Sequence, residues 1–172
     1  YSEYVTDKDY SNGIDFAKKH KNIIVTRTFS KIFGLASLRL GWCYAHNDII
    51  QLMNKVRGPF NINQIAQTAG VEALKDKKYV KNSINHNKFW LRKMNNELSK
   101  LPIQVCDSRA NFLLLNIGKS VKILNRFLLS KSVIVRLMDK YNLPQYIRVS
   151  IGTSKENKKF IKSMKEFFNG KK

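Results

Sequence analysis

The stretch from Ile23 to Ala45 constrains this chain more than any other. Ile23-Ile24-Val25 is apolar and β-branched and reads as a buried strand running to Arg27; Leu40 to Ala45 reads as a second strand. The residues between them are Thr28-Phe29-Ser30-Lys31-Ile32-Phe33-Gly34-Leu35-Ala36-Ser37-Leu38-Arg39. Two hydroxyls, one lysine and one arginine are gathered around a glycine turn. A loop of this kind, fed and left by strands, implies a sheet whose end presents a compact cluster of hydrogen-bond donors.

Hydroxyls, backbone N–H groups and a guanidinium together suit a phosphate dianion. A lysine beside them suits carbonyl chemistry, because an amine near another cation deprotonates more readily and becomes nucleophilic. Phosphate and aldehyde recognised in one small site point to pyridoxal 5'-phosphate. The string from Arg27 to Gly41, R-T-F-S-K-I-F-G-L-A-S-L-R-L-G, resembles the Schiff-base segment of fold-type I pyridoxal-phosphate aminotransferases. Within them it is most similar to the histidinol-phosphate branch, whose pattern is close to R-T-x-S-K-x-x-G-L-A-x-L-R-x-G. The resemblance implies that Lys31 is the catalytic lysine and carries the cofactor covalently, and that Thr28, Ser30 and Arg39 bind its phosphate. Tyr1, in Tyr1-Ser2-Glu3-Tyr4, matches the tyrosine of D-x-A-Y-x-E-[FY], whose hydroxyl meets the cofactor's phenolic oxygen. The aspartate of that pattern is expected three residues upstream of Tyr1, and the chain is expected to be the C-terminal half of a longer enzyme.

Two further arginines are candidates. Arg148 lies mid-strand in Ile147-Arg148-Val149-Ser150-Ile151-Gly152-Thr153, where an unpaired charge is costly, so it needs an anion. The segment resembles the family's R-x-x-x-G-T, which implies that Arg148 grips a substrate carboxylate or the corresponding polar end of histidinol phosphate. The competing reading is a structural salt bridge. Arg136, after Val133-Ile134-Val135, corresponds in the resemblance to an arginine that binds the substrate phosphate; the competing reading is a solvated strand-end arginine. Asn111, in S-R-A-N-F, matches the family's S-x-A-N-F and is expected to orient local backbone.

Composition narrows the classes of function. The 172 residues carry 32 basic and 12 acidic side chains, a net charge of +20. The excess is lysine spread along the chain, as at Lys18-Lys19, Lys77-Lys78, Lys158-Lys159 and Lys171-Lys172, rather than concentrated with interleaved aromatics. This argues against specific nucleic-acid binding and for a solvated surface. The apolar runs are far too short to span a membrane. Cys43 and Cys106 lack metal spacing and read as reduced, buried thiols of a cytoplasmic protein. His20, His46 and His86 are scattered and read as surface residues. No metal is implied.

Along the chain, Tyr1 to Val5 reads as the end of a strand and Ile14 to His20 as a short helix. Asn47-Asp48 caps a helix to about Val56, with Ile49, Ile50, Leu52, Met53 and Val56 on one face. After Gly58-Pro59, a helix carries Ile65, Ala66, Ala69, Ala73 and Leu74, and a longer one runs from about Lys78 to Lys100. Strands are expected at Ile103–Cys106, Asn111–Ile117, Val133–Leu137 and Tyr146–Ile151, and a helix at Ser120–Leu129. Asn111–Ile117 is apolar enough for burial on both faces. Thr153 and Glu156 form a capping box opening a last helix that buries Phe160, Ile161, Met164, Phe167 and Phe168 and ends at Gly170.

The fold class is therefore α/β. Residues 1–77 are expected to be the remnant of a large pyridoxal-phosphate-binding domain with the start of the interdomain helices, and 78–172 a small C-terminal α/β domain. The resemblance implies transamination of histidinol phosphate with 2-oxoglutarate in histidine biosynthesis, a small-molecule amino donor and oxo acid as partners, and a homodimer. The alternatives are another aminotransferase of this fold, a threonine-phosphate decarboxylase, a catalytically dead relative, or a basic polyanion-binding module.

Overall fold

The computed structural model describes residues 1–170; Lys171 and Lys172 lie outside the described residues. The chain divides into two compact units, Tyr1–Ile84 and Asn85 onward.

In the first unit, helix α1 (Ile14–Lys19) precedes strand β1 (Val25–Thr28), which pairs antiparallel with β2 (Gly41–Tyr44). The register sets Thr28 opposite Gly41. The strand begins later than its sequence suggests, for Ile24 is 47% exposed while Val25 is buried. Tyr1 to Val5 is not a strand end. Ser2–Tyr4 forms a 3₁₀ turn closed by Tyr4 N–H to Tyr1 C=O at 3.0 Å, so the apparent alternation there has no sheet partner. Helices α2 (Asn47–Val56) and α3 (Gln64–Lys75) follow. His46, not Asn47, caps α2: its ring nitrogen accepts from the Asp48 N–H. On the apolar face of α2, Ile49 and Ile50 are half-buried while Leu52 is 62% and Val56 84% exposed among the described residues. α3 instead buries Ala66 against Phe29 and Leu40, which anchors the ends of the loop to the helix.

Helix α4 (Lys77–Leu98) carries the division between the units. In the second unit, β3 (Gln104–Val105), β4 (Phe112–Asn116), β5 (Arg136–Leu137) and β6 (Tyr146–Ser150) form an antiparallel sheet in the order β3-β4-β6-β5. Helices α5 (Val121–Ser130) and α6 (Ser154–Asn169) pack with the C-terminal part of α4 on its apolar side. Leu113, Leu115 and Ile147 are fully buried, as are Met94, Leu98, Leu124, Leu128 and Met164 from the helices. β4 is not buried equally on its two faces: Phe112, Leu114 and Asn116 are only half-buried. β5 is shorter than expected, because the Val133 N–H donates to the Leu128 carbonyl at 2.8 Å and Ile134 is 86% exposed. The chain is still leaving α5 at that point. The Thr153–Glu156 capping box opens α6 as its sequence requires.

Candidate functional site

The loop between β1 and β2 hangs on two buried anchors three residues apart. Phe29 and Ile32 point inward, 5% and 1% exposed, and between them Ser30 is half-buried and Lys31 exposed. The Thr28 hydroxyl donates to Ser30 Oγ at 2.9 Å, and the Ser30 N–H donates to Thr28 Oγ1 at 3.1 Å. The two hydroxyls thus form one polar cluster. The turn closes through Gly34 N–H to Lys31 C=O at 2.9 Å and Leu35 N–H to Phe29 C=O at 3.0 Å. Gly34 has φ +69°, where side chains are strained, and the Tyr79 hydroxyl is 3.2 Å from where a Cβ would stand.

Lys31 Nζ lies 5.1 Å from the centre of the Tyr1 ring, so the first residue of the chain does meet the loop. Tyr4, close to Tyr79 and Tyr1, has its hydroxyl pKa raised, first by burial and then by those neighbours and Glu3. Arg39 is held at φ +52°, an uncommon and costly conformation for a long side chain, and its Nη1 donates to Ala36 C=O at 2.7 Å. The donor set suits a phosphate, and the exposed lysine suits an aldehyde.

The other two candidates lie in the second unit. Arg136 on β5 is the register partner of Arg148 on β6. Like charges directly opposite in a sheet repel. Among the described residues no carboxylate lies within ion-pair distance of either. Its guanidinium rests 5.0 Å from the Phe112 ring centre, and its Nε is buried with no hydrogen-bond partner. Arg136 donates through Nη2 to the Tyr141 hydroxyl at 3.2 Å. A cavity of about 560 Å³ is lined by both arginines with Ser150, Gly152, Asn157 and Lys159. An unsatisfied guanidinium edge beside a second arginine is an anion-binding arrangement.

Sequence reasoning missed the residues that support these groups. Tyr79 and Tyr141 carry no motif that marks them, and Phe112 stands in S-R-A-N-F without that motif revealing its contact with Arg148. His86 is not merely a surface histidine, for its Nε2 lies 2.9 Å from the Gly152 carbonyl. Cys43 and Cys106 are unpaired, but half-buried rather than buried. Among the described residues no group of side chains could hold a metal ion, and no helix is long and apolar enough to cross a membrane.

The profile of the family described as aminotransferase class I and II matches residues 1–164. The chain belongs to that family. It is 47% identical to the histidinol-phosphate aminotransferase of Pelagibacter ubique, over 98% of this chain and 48% of that protein. It is 39% identical to the enzyme of the same name from Maricaulis maris, over 97% and 47%. The chain thus spans about half the length of the curated relatives it matches. The crystal structure of the histidinol-phosphate aminotransferase from Clostridium acetobutylicum superposes with TM-score 0.89 at 25% identity, covering 99% of this chain and 52% of that one. The α/β fold of this aminotransferase family is therefore the fold of the chain. An L-threonine-O-3-phosphate decarboxylase from Porphyromonas gingivalis shares that fold, with TM-score 0.78 at 20% identity over 98% and 53%.

Proposed function

We propose that the protein carrying this chain is a pyridoxal-phosphate-dependent aminotransferase that moves an amino group between histidinol phosphate and 2-oxoglutarate. The observation that carries the reading is the β1–β2 loop, with its paired hydroxyls, exposed lysine and left-handed arginine. Residues 1–77 are the remnant of the cofactor domain and 78–172 the small domain. The histidinol-phosphate aminotransferases to which the chain is similar support the substrate and a place in histidine biosynthesis. Cytoplasmic location is supported by the two unpaired cysteines, and homodimerisation completes the proposal.

Thr28, Ser30 and Arg39 would hold the phosphate through hydroxyl and guanidinium donors, and Tyr1, whose ring centre is 5.1 Å from Lys31 Nζ, would donate a hydrogen bond from its hydroxyl to the cofactor. Bound there, the cofactor supplies an electron sink for a carbanion next to the transferred nitrogen. Lys31 would hold the group's aldehyde end, and its free amine would take the proton from the α-carbon of the amino donor and deliver one to the α-carbon of the oxo-acid acceptor in the opposite half-reaction. Arg148 pairs with the carboxylate of glutamate and the equivalent end of histidinol phosphate, and Arg136 with the latter's phosphate.

Borohydride reduction of the intact protein should fix the cofactor's mass on the peptide containing Lys31, and Lys31→Ala should abolish both that mass and turnover. Fixation on another lysine would refute the assignment. Arg148→Ala should raise KM for both substrates and Arg136→Ala mainly that for histidinol phosphate. Equal effects of Arg136→Ala on the two would remove the phosphate role and the preference for this substrate.

A further inference from the structure

The buried polar side chains among the described residues are Asn87, Asn157 and Ser163. A dry amide costs free energy unless its groups are matched, and asparagine is a weak helix former, so two of them facing a core call for a reason. Asn157 spends both of its amide groups, and Asn87 its Nδ2, on the ends of two neighbouring strands, while the Asn87 Oδ1 is buried without a partner. Asn157, in α6 and 2% exposed, holds the Gly152 peptide from both sides. Its Oδ1 accepts from the Gly152 N–H and its Nδ2 donates to the Gly152 carbonyl, each at 2.9 Å. His86 of α4 reaches the same carbonyl at 2.9 Å. Asn87, one residue on, donates to the Ala110 carbonyl at 3.1 Å.

Those two anchored points are where β6 leaves the sheet and where β4 enters it. They are joined by the Ile151 N–H, which donates to Asn111 C=O at 2.8 Å. Just inside them, Phe112 faces Ser150 and Leu114 faces Arg148 across the β4–β6 ladder. The Phe112 ring is the one on which the Arg148 guanidinium rests. The aim of that guanidinium therefore depends on how the end of this two-strand ribbon is held, because its buried Nε makes no hydrogen bond of its own.

We infer that Asn157, supported by His86 and Asn87, is a positioning residue that holds the ribbon end so that Arg148 presents its guanidinium to a substrate carboxylate. This rests on the reading of Arg148 given above. The probe is glutarate, a dicarboxylate with neither amino nor oxo group, titrated calorimetrically into the intact, cofactor-loaded protein beside KM and kcat for glutamate. Asn157→Asp keeps the shape and the acceptor but loses the donor to Gly152 C=O; as it also brings a carboxylate to the cavity lining, the uncharged Asn157→Leu is run beside it and must weaken binding too. It should raise the glutarate Kd and the glutamate KM by about tenfold, the scale of one charge-assisted hydrogen bond, while kcat stays within about twofold. His86→Leu, at an exposed residue, should raise the Kd roughly two- to threefold by removing one of the two contacts to that carbonyl. Ser163→Ala, on the same helix, should leave the Kd unchanged whatever it does to Tm. A lowered Tm in Asn157→Asp with unchanged glutarate binding overturns the inference. If Asn157→Asp does not fold, unchanged binding in His86→Leu does so instead. Arg148→Lys separates the two levels: unchanged glutarate binding there removes the role of Arg148 itself and this inference with it. Weakened binding in Arg148→Lys with none in Asn157→Asp overturns the positioning alone.

Discussion

Replacing Gly41 by alanine tests whether the closeness of β1 to β2 sets the geometry of the loop. Gly41 is the register partner of Thr28, and a Cβ built on it would stand 2.7 Å from the Arg27 carbonyl oxygen and 3.8 Å from Thr28 Cα. Ordinary contact begins at 3.4 Å, so the strands would have to part by about 0.7 Å. The obstructing atom is backbone, which cannot swing away as a side chain can. The backbone of Gly41 is not left-handed, so alanine gains about 0.4–1 kcal/mol from the reduced freedom of the unfolded chain. Forced overpacking costs about 1–3 kcal/mol. The clash wins, and a net loss of about 1–2 kcal/mol is expected. Because the shift is transmitted to Thr28, the hydroxyl pair should be misplaced and cofactor affinity should fall roughly three- to tenfold. Hydrogen exchange at the amides of β1 and β2, read by mass spectrometry, should report faster opening in the variant, and a cofactor titration should report the affinity. Protection equal to or greater than that of the parent would show that the entropic term is unopposed and that the approach of Arg27 to Gly41 constrains nothing.

Three more outcomes follow from particular contacts. Arg39→Gly should be more stable than Arg39→Ala by about 1 kcal/mol, since the left-handed strain it relieves outweighs glycine's greater freedom in the unfolded chain, while both lose cofactor affinity. Unchanged affinity in both would exclude Arg39 from phosphate binding. Glu97 ties α4 to α6 through Lys165 and also meets Lys100, and hydrogen bonds from these lysines hold its pKa down to about 2 from 4.5. A carboxyl depressed in the folded state stabilises fully above pH 4.5 and loses that contribution as pH falls toward about 2, so Glu97→Gln should flatten the acid limb of the stability curve over that window. Thr153→Ala should cost about 1 kcal/mol in thermal or denaturant unfolding by opening the capping box of α6, and a negligible loss would show that the box is redundant.

What could be read from the sequence is what depends on neighbours in the chain. The capping box, the stop of α6 at Gly170 and the start and end of α2 are set within a turn or two of the residues that encode them. The loop from Thr28 to Arg39 is of the same kind. The apolar Phe29 and Ile32, three residues apart, are buried, the polar Ser30 and Lys31 between them stay accessible, and the glycine supplies the turn. The groups that can meet a phosphate and an aldehyde were therefore legible as a cluster before any fold was known. Tertiary structure alone decided what the remaining side chains face. It made a 3₁₀ turn of Ser2–Tyr4 and, among the described residues, left Leu52 and Val56 of α2 exposed. It placed Arg136 opposite Arg148, a matter of register between strands separated by a loop, and it drove Asn157 into the core against Gly152. Local propensity acts over one or two turns of chain. Charge pairing and burial act across whatever the packed sheet and helices bring together, and one sequence read along its length does not reveal those partners.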